Sequence, residues 1–129
     1  MKRGVAETIA EIATLVQQGE PFHIALGNFL DGFYFQPSIG AVEGEPSFLR
    51  AQFGRAGEVY DAYLAATAEK LARDRAIPFP RWARNPERAL RVPWFASEKG
   101  SLRALLIRES PPEFRCRNLF VSENALTRV

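Results

Sequence analysis

The chain has 129 residues, of which 47% are hydrophobic and 25% charged, and its formal net charge is +2. This length suits one domain around one core, and the composition is that of a soluble globular protein. There is no run of 18 apolar residues, so we expect no transmembrane helix. A single cysteine and a single histidine exclude an intrachain disulfide, a cysteine metal cluster and any site that needs two histidines from one chain.

Charge is distributed unevenly along the chain. Residues 81–128 hold ten basic and five acidic side chains, a balance of +5, whereas residues 1–80 hold seven basic and ten acidic ones, a balance of −3. Such an asymmetry bears on partners more than on a reaction. Near the start, Glu7 and Glu11 interrupt the apolar stretch that a signal peptide requires, so we expect a cytoplasmic bacterial protein.

The first third of the chain has the periodicity of two amphipathic helices, over 4–18 and 21–34. Apolar residues recur at helical spacing in both. They are Val5, Ile9, Ile12 and Val16 in the first helix, and Phe22, Leu26, Phe29 and Phe33 in the second. Gly19 ends the first helix and Pro21 begins the second, so the connection is short and predicts a helical hairpin over 1–35.

Proline and glycine punctuate residues 36–56, which predicts a connecting loop with one candidate helical turn at Ser47–Phe53. Residues 57–76 form the strongest helical pattern, with acidic residues in the first turn and basic residues in the last. Pro78 and Pro80 end this helix.

The region 77–129 reads as short, capped helices. Asn85 predicts a helix over 86–91, and Ser101 predicts a helix to about 108 whose Leu102, Leu105 and Leu106 face inward. Two further serines complete the pattern: Ser110 forms a capping box with Glu113 for a helix to about Arg117, and Ser122 caps a turn over 123–128. Residues 119–121 are the one candidate β element. The predicted fold is therefore all-α, a compact single-domain bundle over 1–129 with about three longer N-terminal helices followed by short capped helices.

Few side chains form a pattern typical of catalysis. Cys116 lies between two arginines, which could lower its pKa, but a buried structural thiol is the more common role of a lone cysteine. Glu58 and Asp61 share a helix face on which a hard cation could bind, although acids in a first helical turn also stabilise the helix dipole. His23 is read as a surface residue, and Asp31 as an ion-pair partner for a C-terminal arginine. An enzyme acting through Cys116 or Asp31 is the weakest hypothesis, and we expect no cofactor and no metal.

Arginines and large aromatic residues interleave throughout the basic region. Six arginines form the candidate partner-binding set: Arg81, Arg84, Arg88, Arg103, Arg115 and Arg117. They favour ion pairs with the acidic front half or a docking face for a protein. Nucleic-acid binding through Arg81, Arg84, Arg88, Arg115 and Arg117 ranks third, since no established nucleic-acid-binding motif is present. Trp82, Trp94 and Phe114 are read as core anchors.

One resemblance rests on motifs within residues 60–129. They are the P-x-P-x-W pattern from Pro78 to Trp82, the triplet Pro93-Trp94-Phe95, and the S-P-x-x-F-R-x-R-N-x-F-V-S pattern from Ser110 to Ser122. Together they resemble a region of uncharacterised bacterial proteins, some with an N-terminal XRE-type helix-turn-helix, encoded beside predicted nucleotidyltransferases in a toxin–antitoxin-like arrangement. The present chain has no helix-turn-helix before the motifs, so the resemblance implies a protein partner more than duplex DNA.

The leading hypothesis is a non-enzymatic protein-binding module, the antitoxin-like partner of a nucleotidyltransferase-type toxin. The alternative is a module that binds RNA or single-stranded nucleic acid through the C-terminal arginines. Homodimerisation is a further expectation, because the first two helices carry more apolar residues than one small domain needs to bury.

Overall fold

The computed structural model describes residues 4–128 as a mostly helical, compact fold, which confirms the all-α prediction. The first two helices, α1 (Ile9–Gln17) and α2 (Phe22–Phe35), pack on each other as the predicted hairpin. Helix α1 begins later than predicted, because the Thr8 hydroxyl accepts a hydrogen bond from the Glu11 backbone N–H and the Glu11 carboxylate accepts one from Thr8 N–H. This capping box fixes the start of the helix at Ile9.

The segment 36–56, predicted to be a loop with one candidate turn at Ser47–Phe53, contains two short helices, α3 (Gly40–Glu43) and α4 (Arg50–Phe53). Helix α4 lies within the candidate turn, whereas α3 was not predicted. Val42 and Leu49 are almost completely buried, so the segment contributes to the core. The sequence, rich in proline and glycine here, did not indicate this contribution to the core, because single helical turns are too short to show a period of buried positions.

The long helix α5 (Arg55–Asp74) is the centre of the fold, two residues offset from the prediction at both ends. Between residues 61 and 72 every side chain is buried or half-buried, as expected for a helix that is surrounded by other elements. On one side Tyr60 stacks on Phe22 of α2 with ring centroids 4.3 Å apart. Elsewhere on α5 Tyr63 meets Phe114 edge to face at 4.9 Å, which joins the hairpin and the basic region to the same helix.

After α5 the chain forms two 3-10 helices, Arg81–Arg84 and Pro86–Arg88. The Asn85 side chain accepts a hydrogen bond from the Glu87 N–H at 3.0 Å, as its predicted capping role requires. Two-residue strands follow, β1 (Trp94–Phe95) and β2 (Leu119–Phe120), which pair in parallel with Trp94 opposite Leu119. The β element predicted at 119–121 is therefore present, and its partner strand was not predicted.

Helices α6 (Gly100–Glu109) and α7 (Pro112–Arg115) lie between the two strands in the chain. Ser101 does not cap α6, since the helix already includes Gly100 and its N-cap residue is Lys99. Ser110 does not form a capping box either, because its buried hydroxyl accepts a hydrogen bond from the Val121 N–H at 2.7 Å. Here a tertiary hydrogen bond replaces the local one that the sequence favours.

Candidate protein-interaction surface

Helix α6 is attached to the fold by one side only. It lies against β2, and of its ten residues only Leu106 is buried. At the end of the helix the Ser110 N–H donates to the Leu106 carbonyl at 3.0 Å, so the last turn is held to the fold through Ser110. Most of the helix surface is therefore free to meet another molecule.

Three apolar side chains of α6 remain exposed. Leu102 is 38% exposed, Leu105 40% and Ile107 46%. The prediction that Leu102 and Leu105 face inward is wrong, because only Leu106 is covered by the strand below. A signal was present in the sequence: Leu105 and Ile107 are two positions apart, so they lie on opposite sides of a helix and one contact surface cannot bury both.

Basic side chains lie among these apolar ones. Residues 99–108 contain three basic residues and no acidic one. The guanidinium of Arg103 lies 4.9 Å from the centroid of the Phe95 ring. The side chains of Lys99 and Arg108 are exposed and form no hydrogen bond or ion pair with any residue from 4 to 128. We call Lys99, Leu102, Arg103, Leu105 and Arg108 together the α6 surface; Ile107 lies on the other side of the helix from Leu105 and does not belong to it.

Arg88, one of the six predicted partner-binding arginines, is inside the protein and is fully buried. Its guanidinium lies 4.2 Å from the centroid of Phe48 and 4.9 Å from that of Trp82. It donates hydrogen bonds to the carbonyl of Pro46 and to the carbonyl of Asp61. Burial lowers the pKa of Arg88, and the hydrogen bond to Glu45 opposes that shift. Arg88 is therefore structural and cannot reach a partner.

Arg117 is a second correction, since it is only 5% exposed. It donates to a carboxylate oxygen of Glu69 at 2.7 Å and to the Ala83 carbonyl at 2.7 Å. Arg84 donates to the other oxygen of Glu69 at 2.9 Å. Burial alone would raise the pKa of Glu69, but the hydrogen bonds from Arg117 and Arg84 outweigh it, so the pKa is lowered. The expected ion pairs between the basic and acidic halves thus exist.

The other four predicted arginines, Arg81, Arg84, Arg103 and Arg115, are exposed. The structure does not gather them at one cleft. Arg81 lines a cleft beside Phe79 and Trp82, and Arg84 lines another beside Cys116. Only Arg103 belongs to the α6 surface. Partner binding by these residues stays a prediction, and the apolar positions of α6 are what sequence reasoning missed.

The remaining candidates occupy ordinary structural positions. Asp31 accepts from Arg128 at 2.9 Å, the ion pair with a C-terminal arginine that the sequence favoured, and this hydrogen bond lowers the pKa of Asp31. Asp61 is buried and accepts from the Leu49 N–H at 2.6 Å and from Arg50 at 3.0 Å, so it does not share an open cation site with Glu58. Cys116 and His23 are both exposed, so the buried role expected for the thiol is wrong.

Trp82 and Trp94 are half-buried against the core and Phe114 is fully buried, as anchors should be. Within residues 4–128 no three His, Cys, Asp or Glu side chains are grouped closely enough to hold a metal ion. In the same part of the chain no helix has the length and apolar character needed to cross a membrane.

Comparison of this chain with protein-family models, curated proteins and solved structures finds no match.

Proposed function

We propose that this protein is a non-enzymatic, cytoplasmic protein-binding module that docks its partner through the α6 surface. The observation that carries the proposal is the exposure of Leu102 and Leu105, which are three positions apart and so share one face of a helix of which only one residue is buried. Apolar side chains that gather on a surface are typical of protein contacts, because their removal from water favours association.

The charges of the α6 surface indicate what kind of partner fits. Lys99, Arg103 and Arg108 surround the apolar positions, and no acidic residue lies between residues 99 and 108. A partner with an apolar patch edged by acidic side chains would satisfy both features. Opposite charges at the rim speed association and select among partners. Arginine is also enriched at protein interfaces.

The resemblance of residues 60–129 to proteins encoded beside predicted nucleotidyltransferases supports a specific partner class. We propose a nucleotidyltransferase-type toxin, with this protein as its antitoxin-like inhibitor. Docking of α6 at or near the partner's active site would block access of its substrates.

Co-expression with the product of the adjacent gene tests the proposal. We expect the two proteins to co-elute, and Leu105→Glu to weaken the complex by about tenfold or more, because a charge would replace an apolar contact at the centre of the patch. Ile24→Glu is the matched control, since Ile24 is also an exposed apolar residue, 42% accessible, but lies on α2. If the two proteins did not co-elute, and if co-expression left the toxicity of the adjacent gene's product unchanged, the inhibitor role would be excluded.

The alternative function, binding of RNA or single-stranded nucleic acid, depends on exposed guanidiniums. Burial of Arg88 and Arg117 leaves Arg81, Arg84 and Arg115 from its original set. The same purified protein distinguishes the two functions. A gel shift at low salt that weakens steeply as salt rises, and that Arg81→Gln reduces while Leu105→Glu does not, would support nucleic-acid binding instead.

A further inference from the structure

A cleft of about 660 Å³ opens between the residues that precede α1, the last two turns of α2 and the start of α3. Its walls are mostly apolar. They include Val5, Ala6, Phe29, Phe33 and Ala41. No residue of the α6 surface lines this cleft, so it is separate from the docking surface proposed above.

Phe35 stands at the edge of the cleft. The residue is 91% exposed, the largest exposed fraction among the large hydrophobic residues of 4–128. A phenylalanine side chain offers roughly 150–250 Å² of surface for burial, so its full exposure to water is unfavourable unless a partner covers it. Gly32, one turn earlier on α2, lines the same cleft and leaves it open, since a Cβ at this position would meet no atom within 4 Å.

A protruding aromatic ring and an apolar cleft therefore lie side by side on one face. A surface that contains both is self-complementary: under a two-fold axis the ring of each copy enters the cleft of the other. We propose that the protein forms a symmetric homodimer in which Phe35 of each chain inserts into the cleft formed by α1, α2 and α3 of its partner.

The charges at the cleft favour a second copy over a charged partner. Among the residues of 4–128 that line it, Glu7 is the only charged one and none is basic. Polar residues at the rim, Gln36 and Ser38, are uncharged. A highly charged ligand would find little to bind here, whereas a second copy supplies an apolar ring and a neutral rim.

Two substitutions test the two halves of the contact separately. Phe35→Ser removes the protruding ring, and Gly32→Trp fills the cleft while Phe35 remains. Both positions are exposed, so the fold should be retained, which thermal unfolding checks. Ile24→Ser is the matched control, because it removes an exposed apolar side chain from the same helix without touching the cleft.

Sedimentation velocity over a range of protein concentrations is the measurement. We expect the wild-type protein and Ile24→Ser to reach twice the mass of one chain. Phe35→Ser and Gly32→Trp should each associate at least about tenfold more weakly. Wild-type protein that stays monomeric throughout, or variants that dimerise like wild type, would overturn the proposal.

A mixture of the two variants gives a sharper result. The Phe35→Ser chain keeps an open cleft and the Gly32→Trp chain keeps its ring, so one of the two reciprocal contacts can form between them. We expect the mixture to associate more tightly than either variant alone. No gain on mixing would show that the ring does not enter the cleft.

Discussion

The guanidinium of Arg88 is buried and contacted by rings and main chain, while its Nε has no hydrogen-bond partner among residues 4–128. The rings of Phe48 and Trp82 lie against it, and it donates to two main-chain carbonyls, those of Pro46 and Asp61. A planar, delocalised cation suits such a site, because it can stack and donate in its plane at the same time. Arg88 thereby links the 3-10 helix at 86–88 to the segment between α3 and α4.

We expect Arg88→Ala to lower the free energy of unfolding by about 3 kcal/mol, since it removes the hydrogen bond to the Pro46 carbonyl and leaves a cavity between two rings. Urea denaturation measures this. Arg81→Ala, at an exposed arginine a few residues earlier, should change stability by less than about 0.5 kcal/mol. Equal effects of the two substitutions would contradict the structural role of Arg88.

The contrast between Arg81 and Arg88 marks a limit of sequence reasoning at this scale. Both lie in the same basic region, and local composition gives them the same properties. What separates them is contact with Phe48 and Pro46, some 40 positions earlier in the chain, which no local pattern encodes. The ion pair of Asp31 with a C-terminal arginine was easier to predict, because an exposed acid near an apolar stripe has few partners other than a base that is distant in the chain.

The junction between α4 and α5 brings two stretches of main chain very close together. Gly54 has a φ of 58°, which lets the chain reverse within one residue. Gly57 then lies so close to the preceding helix that a Cβ atom on it would be 2.3 Å from the carbonyl oxygen of Leu49. The obstacle is main chain, so it cannot move aside by a change of rotamer.

Gly57→Ala should therefore destabilise the protein by about 2 kcal/mol, because backbone overlap outweighs the gain in helix propensity. The control, Gly32→Ala, adds the same methyl group inside α2 where nothing lies within 4 Å, and should stabilise by up to about 1 kcal/mol. Chemical denaturation of both variants checks the opposite signs. Stabilisation by Gly57→Ala would show that α4 can shift at little cost.

At the level of elements, periodicity located α1, α2 and α5 to within a few residues, because each buries a continuous stripe. Periodicity cannot locate elements of one turn: α3 and the 3-10 helix at 81–84 were not predicted, whereas α4 lies in the candidate turn at Ser47–Phe53 and the 3-10 helix at 86–88 lies in the helix predicted over 86–91. The predicted N-caps of α6 and α7 were also wrong. Ser101 and Ser110 have the right chemistry for caps, yet the buried hydroxyl of Ser110 binds the main chain of Val121 instead.

Over the whole molecule, Glu69 joins parts of the chain that are distant in sequence. It accepts from Arg84 in the first 3-10 helix and from Arg117 just after α7, and it belongs to α5 itself. Arg117 also donates to the Ala83 carbonyl and to the Glu113 carbonyl, each at 2.7 Å. One buried carboxylate thus ties the basic C-terminal region to the central helix.

Folding lowers the pKa of Glu69. The ionised carboxylate therefore contributes fully to the free energy of unfolding above a pH of about 4.3, the pKa of glutamate in an unfolded chain. This contribution is lost as the pH falls through the lower pKa of the folded protein. We expect Glu69→Gln to cost about 3 kcal/mol at pH 7, since Arg117 stays buried without a counter-charge. The difference in free energy of unfolding between variant and wild type should decrease as the pH falls below about 4.

Urea unfolding at a series of pH values measures this gap. Glu98→Gln, at an exposed carboxylate, is the control and should leave both stability and its pH dependence unchanged. A gap for Glu69→Gln that is the same at every pH would contradict the proposed ion pairs.

The pairing of β1 with β2 has a consequence for how this protein can evolve. The two strands bring Trp94 and Leu119 together, so residues 96–118 form an excursion that begins and ends at one point of the fold. Within it Leu106 and Phe114 are still buried. Helix α6 lies within this excursion, and only one of its side chains, that of Leu106, is buried against the fold. Mutations there should change the exposed surface of the protein with little effect on folding. If the partner's surface changes during evolution, substitutions could therefore accumulate in this helix while the sequence of the rest of the domain is retained.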